Sequence, residues 1–259
     1  MSYQNTVALI TGASSGIGAE FARQLTALGA KTILVARRED NLKKLVLELS
    51  GSEYIVADLT NQNDLLAVVK KIQNTRIDIL VNNAGRGSFG YFEDLNLEAE
   101  INQVQLNVVA TQTLAHAVIP QMKERASGCI VSVSSIAAFQ PLPLMATYAA
   151  TKCFNYQHSM ALREELKEFG VRVVTLCPGP TATEFGGVAR VPGTATGGPR
   201  ADVAMVVRET IKGMERNQAV VIPGLRAKGM SWFSKLMPKT ISSWIVGREL
   251  RGVLEKSLK

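Results

Sequence analysis

The stretch Val7-Ala-Leu-Ile-Thr11-Gly-Ala-Ser-Ser-Gly16-Ile-Gly18 places an apolar run, a glycine-rich loop and the start of a helical pattern one after another. A strand that leads through a glycine loop into a helix is the context in which such loops bind the phosphates of a dinucleotide. Gly12 would permit the tight turn, Gly16 the approach of backbone to a pyrophosphate, and Gly18 the close packing of helix on strand. The G-x-x-x-G-x-G spacing departs from the usual G-x-G-x-x-G, and a plain turn would also favour glycine.

Apolar runs alternate with helical patterns along most of the chain. The runs are rich in Val and Ile at successive positions, as in strands covered on both faces. They lie at 7–10, 31–36, 54–57, 77–81, 129–133, 171–177 and 219–222, and the helical patterns lie near 17–28, 39–49, 62–74, 97–125, 148–169 and 201–216. The alternation predicts an α/β fold, a Rossmann-type doubly wound parallel sheet of about seven strands with helices on both faces. Ligands of such sheets bind at the carboxyl ends of the strands.

Three residues, Ser135, Tyr148 and Lys152, have a spacing that suits proton transfer to or from a carbonyl oxygen. Tyr148 and Lys152 are four apart on a predicted helix and therefore share a face. A fixed lysine charge favours the phenolate and lowers the pKa of a tyrosine that otherwise titrates near ~10. Ser135 ends the run Gly128–Val133-Ser-Ser135, so its hydroxyl would project from a strand end and orient a substrate oxygen. Taken alone, a Tyr-x-x-x-Lys pair can equally be an inert helix surface.

Together, Thr11 to Gly18, Asn82-Asn83-Ala84-Gly85, Asn107, Ser135, Tyr148, Lys152 and Pro178-Gly179 resemble the short-chain dehydrogenase/reductase family in order and separation. The resemblance covers about residues 5–224. It implies that Tyr148 is the general acid/base, that Ser135 positions the substrate oxygen, and that Lys152 binds the nicotinamide ribose and lowers the tyrosine's pKa. Asn107 would complete a water-linked proton relay to Lys152, although an asparagine within a helix can simply bond backbone.

The resemblance also implies a set of cofactor contacts, which fall on the loops that follow the strands. By carry-over onto matching positions these are Gly12, Ser14, Ser15, Gly16, Ile17, Gly18, Arg37, Arg38, Asp58, Leu59, Asn83, Ala84, Gly85, Tyr148, Lys152, Pro178, Gly179, Thr181 and Thr183. Asp58 would address the adenine amino group, but it also suits a turn or a helix cap. Thr181 and Thr183 would help to orient the carboxamide.

Arg37 ends the second predicted strand, where NAD-preferring relatives carry an acidic residue. A guanidinium binds a 2′-phosphate through charge-assisted hydrogen bonds, whereas a carboxylate repels it. Ser14 and Ser15 can add donors to the same phosphate, so we predict NADP(H) as the cofactor. The alternative is that Arg37 and Arg38 are solvated charges at the start of a helix.

The residues that flank the predicted catalytic group are mostly apolar, which indicates a bulky hydrophobic carbonyl substrate. We expect the pocket to include Ala137, Phe139, Gln140, Leu142, Met145 and Phe185. Each of them could instead belong to the core or to a subunit contact. The glycine- and proline-rich stretch at 184–201 has the composition of a mobile lid.

Length and charge divide the chain unequally. With 259 residues, 46% of them hydrophobic, the chain can bury one substantial core, and we predict a catalytic domain at 1–224 followed by an amphipathic extension at 225–259. From Pro223 onward there are eight basic and two acidic residues, so this segment holds +6 of the formal net charge of +7. Both tryptophans, Trp232 and Trp244, lie in it, and Pro238 divides it into two helical segments. It suits either peripheral attachment to a membrane or packing over the substrate entrance or a neighbouring subunit.

Other classes of function find little support in the sequence. Three widely spaced cysteines and two helical histidines indicate neither a disulfide framework nor a metal site. No recognition fold for nucleic acid accompanies the basic charge. The apolar runs are too short to span a membrane and no signal peptide is evident, so we expect a cytoplasmic protein. By resemblance, a homodimer or homotetramer would form through the helices at 97–125 and 148–169.

These observations predict an NADP(H)-dependent oxidoreductase that interconverts a carbonyl and a secondary alcohol, with Tyr148 as its acid/base. The alternative is a nucleotide-binding regulator or scaffold of the same fold without turnover.

Overall fold

A computed structural model describes residues 2–192 and 198–257. Its strands are β1 Val7–Thr11, β2 Lys31–Ala36, β3 Glu53–Val56, β4 Ile79–Asn82, β5 Gly128–Val133, β6 Val171–Leu176 and β7 Val220–Val221. Its helices are α1 Gly16–Ala27, α2 Glu39–Glu48, α3 Gln62–Gln73, α4 Leu97–Val104, α5 Thr111–Glu124, α6 Ala146–Lys167, α7 Phe185–Val188, α8 Val203–Glu215, α9 Leu225–Leu236 and α10 Lys239–Ser257.

The seven strands form one parallel sheet in the order β3-β2-β1-β4-β5-β6-β7. The central strand β1 pairs Leu9 with Ile33 of β2 on one side and with Leu80 of β4 on the other. The strand order therefore reverses between β1 and β4, and in open α/β sheets such a switch point opens a ligand crevice beyond the carboxyl ends. The predicted fold class is confirmed.

The core lies in two layers because successive side chains of a strand point to opposite faces. Ala8 and Ile10 pack in one cluster with residues of α1, α2 and α8, such as Phe21. Leu9 packs in the other with residues of α3, α5 and α6, such as Leu114. Both faces of the sheet are thus covered by helices, which is why its strands are apolar at successive positions.

The helix expected at 97–125 is interrupted. Between α4 and α5 the six residues Gln105–Ala110 form a π-helical segment, and Asn107 lies inside it. Apolar periodicity does not register one wider turn, so the sequence predicted a continuous helix. Single π-turns within α-helices are frequent at functional sites.

The C-terminal segment folds against the rest of the chain. Its two helices, α9 and α10, are separated at Pro238 as predicted, and α9 contacts the short 3₁₀ helix Ile136–Phe139. Leu250 of α10 is buried in a cluster that contains Tyr148. Within the described residues, none of the helices combines the length and apolarity that crossing a bilayer requires.

Candidate active site

The glycine loop between β1 and α1 has a geometry that side chains would obstruct. Gly12 and Gly16 have φ of +64° and +55°, in the left-handed region that glycine tolerates best. A Cβ on Gly18 would lie 2.4 Å from the carbonyl oxygen of Gly12, which is too close to be accommodated. The loop consequently exposes backbone where a ligand can approach closely.

The amino end of α1 is suited to bind an anion. Helix α1 begins after Ser15, whose side chain does not cap it. The first N–H groups of a helix lack intrahelical acceptors and carry a partial positive charge. A pyrophosphate can accept from these groups, so the loop and helix fit a dinucleotide.

Thr11 and Asn83 join the ends of β1 and β4 beside this loop. The Thr11 hydroxyl accepts from the backbone N–H groups of Asn83 and Ala84 at 3.0 Å each. The Asn83 amide donates to the Thr11 carbonyl at 2.8 Å and to the Gly12 carbonyl at 3.3 Å. These bonds hold the two loops together at the switch point of the sheet.

Two arginines follow β2, and the structure gives them different neighbours. Arg38 donates to the hydroxyls of Ser14, at 3.1 and 3.2 Å, and Ser15, at 2.6 Å, and to the Glu184 carboxylate at 2.8 Å. Arg37 lies 3.3 Å from the Asp58 carboxylate. The arginine that binds the glycine loop is therefore Arg38, whereas the sequence pattern pointed to Arg37.

Asp58 forms a local turn. Its carboxylate accepts from the backbone N–H and the hydroxyl of Thr60, at 3.0 and 2.7 Å. Burial raises its pKa, but the bonds from Thr60 and the charge of Arg37 outweigh burial and hold that pKa below the ordinary value. The turn role is thus present, and a contact to adenine stays a prediction. The next residue, Leu59, is buried in the core.

Ser135 and Tyr148 meet beyond the carboxyl end of β5. Ser135 follows that strand and accepts from the Ala137 backbone N–H at 3.1 Å. Tyr148 lies in the first turn of α6 and is 9% exposed. Burial raises the pKa of Tyr148 from 10.0 to about 12, and hydrogen bonding to the Ser135 hydroxyl opposes this shift.

Lys152 lies one turn further along α6 and is 4% exposed. Its Nζ donates to the Val133 carbonyl at 2.8 Å and lies 5.8 Å from the centre of the Tyr148 ring. The Ser134 hydroxyl donates to the Lys152 carbonyl at 2.7 Å and so fastens α6 to β5. Burial lowers the pKa of Lys152 from 10.5 to about 8.

These pKa directions differ from the one expected from spacing alone. The four-residue spacing predicts that Lys152 lowers the pKa of Tyr148, but the net shift of the Tyr148 pKa is upward. Burial has the larger effect because it removes water from the phenolate, while the same burial weakens the charge of the lysine. Burial thus favours the neutral form of both side chains, the phenol of Tyr148 and the amine of Lys152.

Asn107 is fully buried and binds the loop after β4. Its amide accepts from the Arg86 backbone N–H at 3.0 Å and donates to the Arg86 carbonyl at 2.9 Å and to the Thr151 hydroxyl at 2.9 Å. A Cβ on Gly85 would lie 3.2 Å from both the Asn107 Oδ1 and the Lys152 Nζ. The structure thus brings Asn107, Gly85 and Lys152 together, and the asparagine side chain also has the structural role of bonding backbone.

The loop after β6 closes over the glycine loop. The Pro178 carbonyl accepts from the Ile136 N–H at 3.1 Å, and the Thr181 hydroxyl donates to the Gly179 carbonyl at 2.9 Å. A Cβ on Gly16 would lie 3.0 Å from the Thr183 side chain. The expected lid at 184–201 is described at 184–192 and 198–201, and residues 193–197 lie outside the described part of the chain.

The predicted pocket residues divide into two groups. Ala137 and Met145 are buried in one cluster with Tyr148, and Leu142 and Phe185 pack against it. Phe139 instead meets the Tyr156 ring edge-on at 5.1 Å, and Gln140 accepts from the Ser234 hydroxyl at 2.9 Å. Four of the six residues therefore surround the tyrosine, while Phe139 and Gln140 face α9 and its neighbours.

Comparison with known proteins shows the family of the chain. A family model described as short chain dehydrogenase matches residues 6–190. The chain belongs to the short-chain dehydrogenase family. An uncharacterized oxidoreductase of Staphylococcus epidermidis is 33% identical over 180 residues, which are 68% of this chain and 78% of that protein.

Two solved structures are similar to this chain over most of their length. A short-chain dehydrogenase from Sphingobium yanoikuyae in complex with NADPH is 34% identical, with a TM-score of 0.82 over 88% of this chain and 92% of that one. The bulky-bulky ketone specific alcohol dehydrogenase from Comamonas testosteroni is 31% identical, with a TM-score of 0.77 over 90% of this chain and 95% of that one.

The apolar cluster around Tyr148 of this short-chain dehydrogenase also contains residues that the sequence did not single out. Phe89, Leu144 and Leu250 are buried in the cluster around Tyr148. Leu144 has φ of +66°, which is unusual for a branched side chain and marks local strain. A Cβ on Gly87 would lie 2.8 Å from the Phe185 ring and 3.2 Å from that of Tyr148. Of these residues, only Gly87 offers a local sequence signal, a glycine near the predicted site. Phe89 and Leu250 contact residues that are distant from them in sequence, so no local pattern indicates their place.

Proposed function

We propose that this protein is an NADP(H)-dependent oxidoreductase that interconverts a carbonyl and a secondary alcohol on a hydrophobic substrate. The proposal depends mainly on the burial of Lys152 beside Tyr148. Within the described residues no carboxylate forms an ion pair with Lys152, although the residue is 4% exposed. A buried ammonium without an ion-pair partner destabilises a fold, and such groups cluster at sites where shifted pKa values serve chemistry.

The four predicted catalytic residues have complementary roles in this proposal. A nicotinamide, when bound, would be the source or the acceptor of the hydride. Ser135 holds the substrate oxygen, and Tyr148 donates its proton to that oxygen as the carbonyl is reduced. Lys152 stabilises the phenolate that remains and, with Asn107, returns a proton to it from solvent. Tyr148 accepts the proton in the opposite direction.

NADP(H) is proposed because two arginines and two serines surround the position expected for a 2′-phosphate. Arg38 already binds the hydroxyls of Ser14 and Ser15, and Arg37 lies on the adjacent turn beside Asp58. Guanidinium groups and hydroxyls together suit a phosphate with several acceptor oxygens. The NADPH complex of the Sphingobium yanoikuyae relative supports the same choice.

A bulky apolar ketone or alcohol, steroid-like or 3-oxoacyl-like in character, is the proposed substrate class. The walls around Tyr148 come from Phe89, Met145, Phe185 and Leu250, which offer apolar and aromatic surface. Pockets of this kind bind a ligand by shape and apolar contact and orient it by a few polar groups, here Ser135 and Tyr148. The ketone named for the Comamonas testosteroni relative is of the same class.

We also propose a homodimer or homotetramer that uses α4, α5 and α6. On α4, Leu97, Ile101 and Val104 are 66%, 52% and 40% exposed and lie on one face at helical spacing. An exposed apolar stripe of this kind indicates a protein contact. Light scattering after gel filtration is expected to show an oligomer that Ile101→Glu dissociates. We further propose that residues 1–224 form one catalytic domain on which 225–259 pack; residues 258 and 259 lie outside the described part of the chain.

Oxidation of NADPH in the presence of quinones, steroids, 3-oxoacyl thioesters and aliphatic ketones tests the function. Tyr148→Phe is expected to lose at least about 100-fold in turnover of the best substrate while still binding NADPH. The exposed Tyr91 provides a matched control, and Tyr91→Phe should behave like the unaltered protein. Full activity of Tyr148→Phe would exclude an acid/base role for Tyr148. If the unaltered protein binds NADPH but turns over none of the compounds, the alternative of a nucleotide-binding regulator would be favoured.

A further inference from the structure

Helix α9 has its polarity reversed relative to an ordinary surface helix. The residues that it buries are Ala227, Ser231 and Ser234, which are small or polar. Its large apolar residues face outward: Leu225, Trp232, Phe233 and Leu236 are 86%, 67%, 52% and 63% exposed. A surface helix normally buries its apolar stripe and exposes its polar face. The exposed face of α9 is therefore built to meet something apolar.

The first turns of α10, which follow α9 after two residues, also expose large apolar side chains. Ile241 and Trp244 are 46% and 62% exposed, whereas Ser242 between them is 1% exposed. The Ser234 hydroxyl bonds Gln140, and the Lys235 ammonium lies 4.3 Å above the Phe139 ring, so α9 is held to the domain by polar contacts. We call the outward residues 225, 232, 233, 236, 241 and 244 the aromatic face.

The charge around the aromatic face has one sign. Between Pro223 and Glu249 the sequence has no acidic residue, but it has five basic ones. They are Arg226, Lys228, Lys235, Lys239 and Arg248. Tryptophan with flanking lysine and arginine is the composition of helices that lie in the interface of an anionic bilayer.

A second copy of the chain is a poorer partner for this surface. A twofold interface places the same patch against itself, and here five positive charges would oppose five positive charges with no acidic residue among them. An anionic surface is instead attracted by the net positive charge of this segment. Its apolar interior can also receive the aromatic side chains.

We propose that α9 and the start of α10 attach this protein peripherally to anionic lipid bilayers. The helices lie in the plane of the interface. Trp232, Phe233, Leu236 and Trp244 enter the acyl boundary, and exposed basic side chains such as Lys228 and Arg248 reach the headgroups.

Sedimentation of the full-length protein with vesicles tests the proposal. Binding is expected to vesicles of equal parts phosphatidylcholine and phosphatidylserine, and to fall with added salt because surface charges are screened. Lys228→Gln removes one exposed charge and should weaken binding about fivefold. Trp232→Ser combined with Leu236→Ser should weaken it at least about tenfold.

The controls separate a loss of the surface from a loss of the fold. Leu47 and Leu66 are 88% and 53% exposed on α2 and α3, so Leu47→Ser with Leu66→Ser removes comparable apolar area elsewhere. This control should bind vesicles normally, and both double variants should keep the thermal unfolding temperature of the unaltered protein. Equal binding to pure phosphatidylcholine would overturn the proposal, as would unchanged binding of the Trp232/Leu236 variant.

Two further outcomes would identify a different partner. If the Trp232/Leu236 variant has a different oligomeric state in light scattering and the unaltered protein does not sediment with vesicles, the aromatic face is a subunit contact. If the unaltered protein binds an oligothymidine strand through these residues and does not sediment with vesicles, the face binds nucleic acid. Either result overturns membrane attachment.

Discussion

The Arg38 guanidinium donates a 2.8 Å hydrogen bond to the Glu184 carboxylate and thereby connects the turn after β2 to the loop after β6. The same guanidinium binds Ser14 and Ser15 of the glycine loop. This bridge borders the proposed phosphate site, because Arg38, Ser14 and Ser15 are among the groups proposed to hold the phosphate. The Glu184 carboxylate thus already binds the Arg38 guanidinium, which the proposed cofactor would need for its phosphate.

Glu184→Gln is expected to tighten the binding of NADPH. The pKa of Glu184 is held below its ordinary value by the Arg38 bond, so the carboxylate is charged at neutral pH and competes with a phosphate for the arginine. The pair is about half exposed, with side chains 48% and 57% accessible, so a gain of up to about fivefold is expected. Fluorescence titration measures it. NADH serves as the control ligand, because it lacks the 2′-phosphate and its affinity should change little.

Arg37→Asp is expected to shift cofactor preference from NADPH toward NADH. The substitution removes a cation and puts a carboxylate beside Asp58, where it would repel a 2′-phosphate and accept from ribose hydroxyls. The ratio of kcat/KM for the two cofactors measures the shift, and a change of at least about tenfold is expected. Arg216→Asp, at the far end of α8, alters net charge equally and should leave the ratio unchanged. An unaltered ratio in Arg37→Asp would refute its role.

Lys152→Met is expected to stabilise the protein while abolishing turnover. The buried ammonium is destabilising, and its removal should raise the free energy of unfolding at pH 7 by on the order of 2 kcal/mol. Thermal unfolding at fixed pH measures this gain. Lys167→Met is the matched control, because the Lys167 side chain at the end of the same helix is 73% exposed. This substitution should change stability little. Equal or lower stability of Lys152→Met would contradict the predicted cost of the buried charge.

The same lysine predicts a pH dependence of stability. Its pKa is about 8 in the folded protein and 10.5 ordinarily, so between these values the unfolded chain binds the proton that the folded protein has released. The free energy of unfolding therefore rises with pH from about 8. Above about 9 the buried thiols of Cys129 and Cys177, whose pKa values burial raises from 9.0 to about 12, act in the opposite direction. The rise between pH 8 and 9 should be absent from Lys152→Met.

Gly18→Ala is expected to weaken dinucleotide binding and to destabilise the fold. The added Cβ would lie 2.4 Å from the Gly12 carbonyl oxygen and 2.6 Å from the Asn83 amide nitrogen, so the glycine loop and the Asn83 side chain must both shift. A loss of about 1–3 kcal/mol in the free energy of unfolding is expected. Denaturant unfolding and cofactor titration measure the two effects. Gly252→Ala in α10 meets nothing within 4 Å and should be neutral or stabilising.

Local sequence was sufficient where the physics is local. The order of strands and helices followed from apolar periodicity, and the glycine loop followed from the steric needs of a tight strand-to-helix turn. Tyr148 and Lys152 were placed together because α-helical geometry brings residues four apart onto one face. The π-helical segment around Asn107 escaped prediction, since the wider turn leaves the apolar pattern on either side almost unchanged.

The sequence by itself thus determined the sheet, the position of the glycine loop and the membership of the Ser135, Tyr148 and Lys152 group. The tertiary structure decided their electrostatics and their surroundings. Phe89, Phe185 and Leu250 come from distant parts of the chain to bury Tyr148, and that burial reverses the pKa shift expected from the lysine. It likewise decided that α9 turns its serines inward and its tryptophan outward. Desolvation depends on what packs against a side chain, and residues far away in sequence supply that packing.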